Sequence, residues 1–292
     1  MERIYTPGLV SIGLPVYNGG ASNKLPRALD SLLNQTYRNI ELIISDNAST
    51  DDTERICREY AARDRRVRYV RQQKNVGLIS NTQFVMEEAR GEYFMLGSDD
   101  DWWRPQFIER LKEVLDANPS YSLVMCSVQN VSLSGEFLGE MLNTGKNDFT
   151  HRSYGEVFTM ISNRGLVHHI LGLYRTRLLH DFLRQPFPMC VRFDRVFLCE
   201  VAFATKIYSL PDVLYHKTIY EVSTDKRYHT EYIKVAYQDP KAYSIFIWAV
   251  VHRLIRSQNI PLGRKLALYP FYLLSFFWRW RRVLLKEWIK MI

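Results

Sequence analysis

The sequence predicts an α/β protein with a mainly parallel sheet flanked by helices, and three observations carry that expectation. Short apolar runs alternate with helix-period segments from Leu9 to about Val131. Polar and acidic residues gather directly after those runs, where an open parallel sheet receives its ligands. A basic, aromatic-rich stretch follows Asp239-Pro240 and reads as a helical C-terminal extension.

Leu9 to Leu14 is the first expected strand. Leu25, Ala28, Leu29, Leu32 and Leu33 then recur at helical spacing and make one apolar face able to cover a sheet. Ile40 to Ser45 is the second strand. Asn47-Ala48-Ser49-Thr50-Asp51-Asp52 supplies turn and capping chemistry for a helix that buries Ile56, Cys57, Tyr60 and Ala61. Val67 to Val70 gives a third strand, followed by a helix lined by Leu78, Thr82, Val85, Met86 and Ala89. Tyr93 to Leu96 is the fourth. Pro105 opens a helix packing through Phe107, Ile108, Leu111, Val114 and Leu115, and Leu123 to Val128 is a fifth strand.

The loops after these strands carry Tyr17 and Asn18, Asp46 and Asn47, Asn75 and Gly77, and Ser98 to Asp101. Singly, each has a plain reading: Asn18 before Gly19-Gly20 signals a turn, and Asp46 can cap a helix. Jointly they form a crevice suited to a nucleotide and a metal. Three consecutive carboxylates, Asp99, Asp100 and Asp101, repel one another and ask for a cation, unless the loop is simply acidic and solvated. No G-x-x-x-x-G-K-[ST] or G-x-G-x-x-G follows the first strand, so a diphosphate would be neutralised by a divalent ion on carboxylates. Hard oxygen ligands favour Mg²⁺ or Mn²⁺. Trp102 and Trp103 offer faces for a sugar or belong to the core.

Composition narrows the class further. The chain has 292 residues, 47% hydrophobic and 24% charged, which excludes a disordered protein. Its four cysteines show no Cys-x-x-Cys pair, which argues against a zinc site or a disulfide framework. No secretory signal is read near Met1, so a cytoplasmic enzyme is expected. Residues 241–292 hold ten Lys or Arg against Glu287 alone, +9 of a total of +8, which leaves about −1 for the rest.

Pro15-Val16-Tyr17-Asn18, the helix Leu29 to Tyr37, Ser45 to Asp51, Asn75-Val76-Gly77 and Gly91-Glu92-Tyr93 occur in an order that resembles the family 2 glycosyltransferases, inverting enzymes of the GT-A (Rossmann-like) fold. The likeness covers about Val10 to Leu133 strongly and His168 to Ser223 more loosely. It implies that Pro15, Tyr17, Asn18, Asp46, Asn75, Gly77 and Ser98 serve the donor, with Asp46 accepting a hydrogen bond from a base N–H. The family's Asp-x-Asp metal motif departs here, since Gly97 holds its first position. Asp99 then takes the metal-binding place with Asp100 following, and a register shifted by two would pair Asp99 with Asp101.

The likeness further implies that Asp194, in Arg192-Phe193-Asp194-Arg195, is the general base; a helix N-cap is its structural alternative and Glu200 its rival. Lys217 falls where the family often faces the diphosphate with a basic residue. His216 reads as a strand residue, and His168 and His169 as structural ones.

The expected organisation is a catalytic domain over 1–240, with 1–133 binding the nucleotide sugar and 134–240 the acceptor, then a basic aromatic tail over 241–292. The tail's apolar runs, Ala242 to Val251 and Leu266 to Trp278, are shorter than the roughly 20 residues that span a bilayer. They suit either a helix lying on anionic lipid or a pair packed on protein. The expected function is transfer of a sugar from a nucleotide-diphosphate sugar to a glycan or lipid-linked acceptor in polysaccharide synthesis, at the inner membrane face and without nucleic acid. Oligomeric state stays open. The competing readings are a sugar-phosphate nucleotidyltransferase and a degenerate glycan-binding scaffold.

Overall fold

The structure is a computed structural model that describes residues 3–20, 23–132, 134–142, 164–190, 192–219, 242–263 and 265–266. Strands β1 (Thr6–Val16), β2 (Ile40–Asp46), β3 (Val67–Arg71) and β4 (Gly91–Leu96) form a parallel set with β1 between β2 and β4. Each is followed by a helix: α1 (Lys24–Leu33), α2 (Thr53–Arg63), α3 (Leu78–Glu87) and, after the two-residue strand β5 (Trp102–Trp103), α4 (Phe107–Ala117). The register aligns Val16 with Asp46 and Asp46 with Arg71, which brings the loops after the first three strands to one end of the sheet.

Beyond β4 the sheet changes character. With β6 (Tyr121–Val131), β8 (Leu173–Arg175) and β9 (Lys206–Thr218), its order is β3-β2-β1-β4-β8-β6-β9-β5, and β7 (Phe137–Leu142) is added on β6. The three-residue strand β8 runs antiparallel between β4 and β6, and β9 runs parallel to β6 and antiparallel to β5. The expected fifth strand is therefore present but is not the fourth strand's neighbour. Gly172 admits this insertion, because a Cβ there would stand 2.5 Å from the Val124 carbonyl oxygen.

Both faces of the sheet are covered, which is why its inner strands read as continuous apolar runs. Alternation splits β2: Leu42 and Ile44 join a core with α1, α2 and α4, whereas Ile43 joins the core on the opposite face. That second core is closed by α3, α5 (Thr176–Leu183), α6 (Phe193–Ala204) and α7 (Ala242–Arg256).

The last of these helices, beyond residue 240, packs on the body. Phe246, Ala249, Val250, Leu254 and Ile260 belong to the core that contains Phe197 and Phe203 of α6. Arg253 anchors the contact, its Nε donating to Glu200 Oε2 at 2.6 Å while Nη2 reaches the Phe182 carbonyl at 2.8 Å and Nη1 the Pro186 carbonyl at 3.1 Å. The first of the two apolar runs expected in the tail thus packs on protein, one of the two arrangements it suits. The run from Leu266 to Trp278 and the rest of the C-terminus lie, beyond Leu266, outside the described residues. Among the described residues no helix is long and apolar enough to cross a membrane.

Candidate active site

The loop after β1 is fastened to the loop after β2. Asn18 takes a left-handed backbone (φ 49°), donates its N–H to Ser49 Oγ at 3.0 Å and accepts the Thr50 N–H on Oδ1 at 2.8 Å. The Gly20 N–H donates to Asp51 Oδ2 and to Thr53 Oγ1, both at 2.9 Å. The third loop is tied to the second in turn. Asn47 Nδ2 donates to Asn75 Oδ1 at 2.8 Å, Asn47 Oδ1 accepts the Val76 N–H at 2.8 Å, and Asn75 Oδ1 also accepts the Gly77 N–H at 2.8 Å.

Asp46, at the end of β2, is fully buried. Its Oδ1 accepts the Ser49 N–H at 2.9 Å, and its Oδ2 accepts the Tyr69 hydroxyl and Arg71 Nη1, each at 2.7 Å. The carboxylate expected to meet a base N–H is therefore enclosed by protein donors, and Arg71 is the partner that stands at the surface. Tyr17 and Pro15 lie partly buried where β1 ends.

The three carboxylates after β4 separate into different environments. Asp99 lies over the first loop, so close that a Cβ on Gly19 would stand 2.7 Å from Asp99 Oδ2. Asp100 accepts the Ser98 hydroxyl on Oδ1, while its backbone carbonyl accepts Thr218 Oγ1 at 2.6 Å and Arg27 Nη2 at 3.5 Å. Asp101 faces β9, accepting the Tyr215 hydroxyl and, at 2.8 Å, the Thr218 N–H. Burial, then the neighbouring Asp100 charge, push the Asp101 carboxyl up to about 7.

Asp101 thus bridges this loop and β9 through both of its oxygens. The carboxylate oxygens of Asp99 and Asp100 are donors of the kind that fits Mg²⁺ or Mn²⁺. Among the described residues no group of three or more His, Cys, Asp or Glu side chains forms a metal cage. Gly97, in the place of the family's first Asp, points between Leu14 and Leu32, whose Cδ1 atoms would stand 3.1 and 3.3 Å from a Cβ.

The 3-10 helix Arg164–Leu171 packs against α6 and meets β9 at Tyr215. His168 is buried with its ring centroid 6.2 Å from that of Tyr215. Burial first, then the positive charges of Lys217 and Arg195, hold its pKa down to about 3, so its imidazole is neutral and lies in the fields of both cations. Asp194 stands in the first turn of α6, beside Arg195. Burial raises its carboxyl above the ordinary carboxylate range, against the opposing pull of the Arg195 N–H and guanidinium.

Glu200, the rival base, is fully buried and ion-paired with Arg253, which assigns it to the packing of α7. His216 stacks on Trp102 with ring centroids 3.6 Å apart and planes 7° from parallel, so one Trp102 face is already covered. Trp103 belongs to the core. Sequence reasoning missed Tyr69, Arg71, Arg27, Tyr215 and Thr218. Only Arg71 carried a usable signal, since it ends the strand beside the one that Asp46 ends.

A mixed sheet of this order, with tied loops at the strand ends and an acidic loop after the fourth parallel strand, defines a GT-A-type α/β protein. S. aureus TarS bound to UDP-GlcNAc shares the fold, with a TM-score of 0.66 at 19% identity over 88% of this chain and 69% of that one. Mannosyltransferase PcManGT from Pyrobaculum calidifontis, in complex with GDP-Man and Mn²⁺, superposes with a TM-score of 0.53 at 16% identity over 96% of this chain and 86% of that one. The profile of Glycosyl transferase family 2 matches residues 11–180, and the chain belongs to that family. Chondroitin synthase of Escherichia coli is 34% identical over 135 residues, 46% of this chain and 19% of that protein. Glycosyltransferase GlyG of Streptococcus pneumoniae is 35% identical over 103 residues, 35% of this chain and 34% of that protein. The matched segments thus span about a third or less of these relatives.

Proposed function

We propose that the protein is an inverting, metal-dependent glycosyltransferase that moves a sugar from a nucleoside-diphosphate sugar to an acceptor hydroxyl. The observation that carries this reading is the joint placement of the Asn18, Asn75 and Asp99 loops at one end of the sheet, with the burial-raised Asp194 at the start of α6. Tyr17, Asn18, Asn75, Gly77 and Arg71 would hold the nucleoside, and Ser98 would keep the acidic loop in shape through Asp100. Asp99 and Asp100 would hold Mg²⁺ or Mn²⁺, which offsets the charge on the departing diphosphate. Lys217 adds a second positive charge on that side.

Asp194 accepts the proton of the acceptor hydroxyl while the oxygen forms a bond to the anomeric carbon. The bond to the diphosphate breaks on the opposite face, which inverts the configuration. A pKa above the ordinary carboxylate value makes Asp194 a stronger base toward a hydroxyl. The likeness to a chondroitin synthase favours a glycan as acceptor, and the neighbours holding UDP-GlcNAc or GDP-Man favour a nucleoside-diphosphate sugar as donor.

Calorimetric titration of UDP, GDP and dTDP, with and without Mn²⁺, tests the donor half. One diphosphate binds with a metal requirement, and Asp99→Ala removes that requirement together with about tenfold or more of the affinity. No binding by any of the three, or an Asp99→Ala titration that matches the wild type, refutes the reading.

A further inference from the structure

Helix α7 has two apolar faces, and only one is used. Phe246, Ala249, Val250 and Leu254 enter the core, and the buried Arg253–Glu200 pair fixes the helix on α6. On the other side Ile245, Trp248 and Ile255 are 42%, 63% and 45% exposed. With His252 they follow a spacing of three, four and three residues, which confines them to roughly 80° of the helix circumference at about 100° per residue. Trp248 stacks on His252 with centroids 4.4 Å apart, so its large ring is held against the helix while remaining open to solvent. Leu262 and Leu266, 69% and 66% exposed, extend the apolar surface past the helix end, where Arg256 is also exposed.

We propose that this face is a docking surface for an anionic lipid bilayer, lying flat in the headgroup region. Charge selects the occupant. Arg253 is neutralised by Glu200, but Arg256 is exposed, Lys265 is partly so, and no Asp or Glu occurs between residues 241 and 286. Of the +9 on residues 241–292, the sequence from 267 onward holds Arg279, Arg281, Arg282, Lys286 and Lys290 against Glu287, interleaved with Trp278, Trp280 and Trp288. A face in so basic a stretch of chain repels a second copy of itself and attracts acidic headgroups. Tryptophan suits the boundary between water and hydrocarbon, and an amphipathic helix with basic flanks binds in that plane without spanning. Because the Arg253 pair fixes α7 on α6, binding by this face also sets the orientation of the catalytic body on the surface.

The surface is separate from the transfer chemistry, so its test reads vesicle binding and not turnover. Full-length protein is sedimented with vesicles of phosphatidylcholine alone, or containing about a third phosphatidylglycerol. The wild type partitions onto the anionic vesicles and comes off in about 1 M salt, where charges are screened beyond about 3 Å. The variant Ile245→Ser/Trp248→Ser/Ile255→Ser binds about tenfold or more weakly, with an unchanged melting temperature because the three side chains are exposed. If that variant melts early, Trp248→Ser alone is measured and loses several-fold.

Equal binding by variant and wild type overturns the proposal and assigns any membrane affinity to residues beyond 266. Equal wild-type binding to both vesicle types removes the anionic requirement and overturns it too. So does a dimer in sedimentation velocity that the triple variant dissociates.

Discussion

Replacing Arg253 by methionine tests whether residues 242–266 are part of the fold. The wild-type side chain is 4% exposed, and the Glu200 carboxylate that it meets at 2.6 Å is 0% exposed. The substitution keeps most of the apolar stem. It removes the charge partner of Glu200 and the donors to the Phe182 and Pro186 carbonyls. Asn259 Nδ2, at 3.3 Å from Glu200 Oε1, is too weak a neutral donor to replace a guanidinium. Removing one member of a buried pair costs about 3–5 kcal/mol, because the other is left uncompensated.

With a urea slope near 3 kcal/mol per M, Arg253→Met should lower the unfolding midpoint by about 1–1.7 M. Glu200→Leu/Arg253→Met should recover most of that loss, since apolar replacement of both partners is often close to neutral. Chemical denaturation followed by circular dichroism gives all three values. A loss below about 1 kcal/mol for Arg253→Met, or a double variant as unstable as the sum of the singles, refutes the pairing argument. Ending the chain after Pro240 removes five buried apolar side chains as well. At about 1.5–3 kcal/mol for each large one, that loss approaches the whole stability of a typical domain.

Two predictions concern carboxyls whose burial sets their chemistry. Asp194→Asn should lower kcat by about 10²–10⁴-fold and leave nucleoside diphosphate affinity unchanged, and unchanged turnover removes Asp194 from the mechanism. In the wild type, a base with a raised pKa stays protonated where an ordinary aspartate has ionised, so the acid limb of kcat should lie above the ordinary carboxylate value near about 3.9. An acid limb at or below that value contradicts the role. For Asp101, raised to about 7, the fold binds a proton that the unfolded chain releases near about 3.9. Its contribution is therefore present in acid and is lost as pH rises, by up to about 1.4 kcal/mol per pH unit between those values. Asp101→Asn should flatten that slope in metal-free buffer, and an unaltered slope by denaturation at several pH values rejects it.

The readable part of the sequence is the part made by local repetition. The first four strands and their helices were legible because each carries its own apolar period, as in Leu25, Ala28, Leu29, Leu32 and Leu33, all buried on α1. Strand ends were legible too, because Tyr17, Asp46, Asn75 and Asp99 change chemistry abruptly after apolar runs. Strand β8 was not: three residues, Leu173 to Arg175, carry no period, and their place between β4 and β6 comes from antiparallel pairing on both edges. The choice left open for the stretch after Pro240, lipid or protein, was not legible for the same reason, since nothing near Arg253 announces that Glu200, in another helix, is its partner.

The acidic triplet shows why pattern alone could not finish the site. As adjacent letters, Asp99, Asp100 and Asp101 are interchangeable carboxylates, and a metal motif can be laid on them in two registers. In three dimensions they differ by what reaches them from far along the chain. Gly19 leaves room for Asp99, Thr218 and Arg27 hold the Asp100 backbone, and Tyr215 with the Thr218 N–H takes both oxygens of Asp101. The partners of Asp101 arrive on β9, more than a hundred residues later, and they support the register that the proposed function uses, because both Asp101 oxygens already accept hydrogen bonds from β9. Repair of the motif at Gly97 is opposed on the same physical ground, because a side chain there starts among Leu14 and Leu32, and a charge would be buried before it reached the crevice. On the proposed reading, a metal would be held by Asp99 and Asp100.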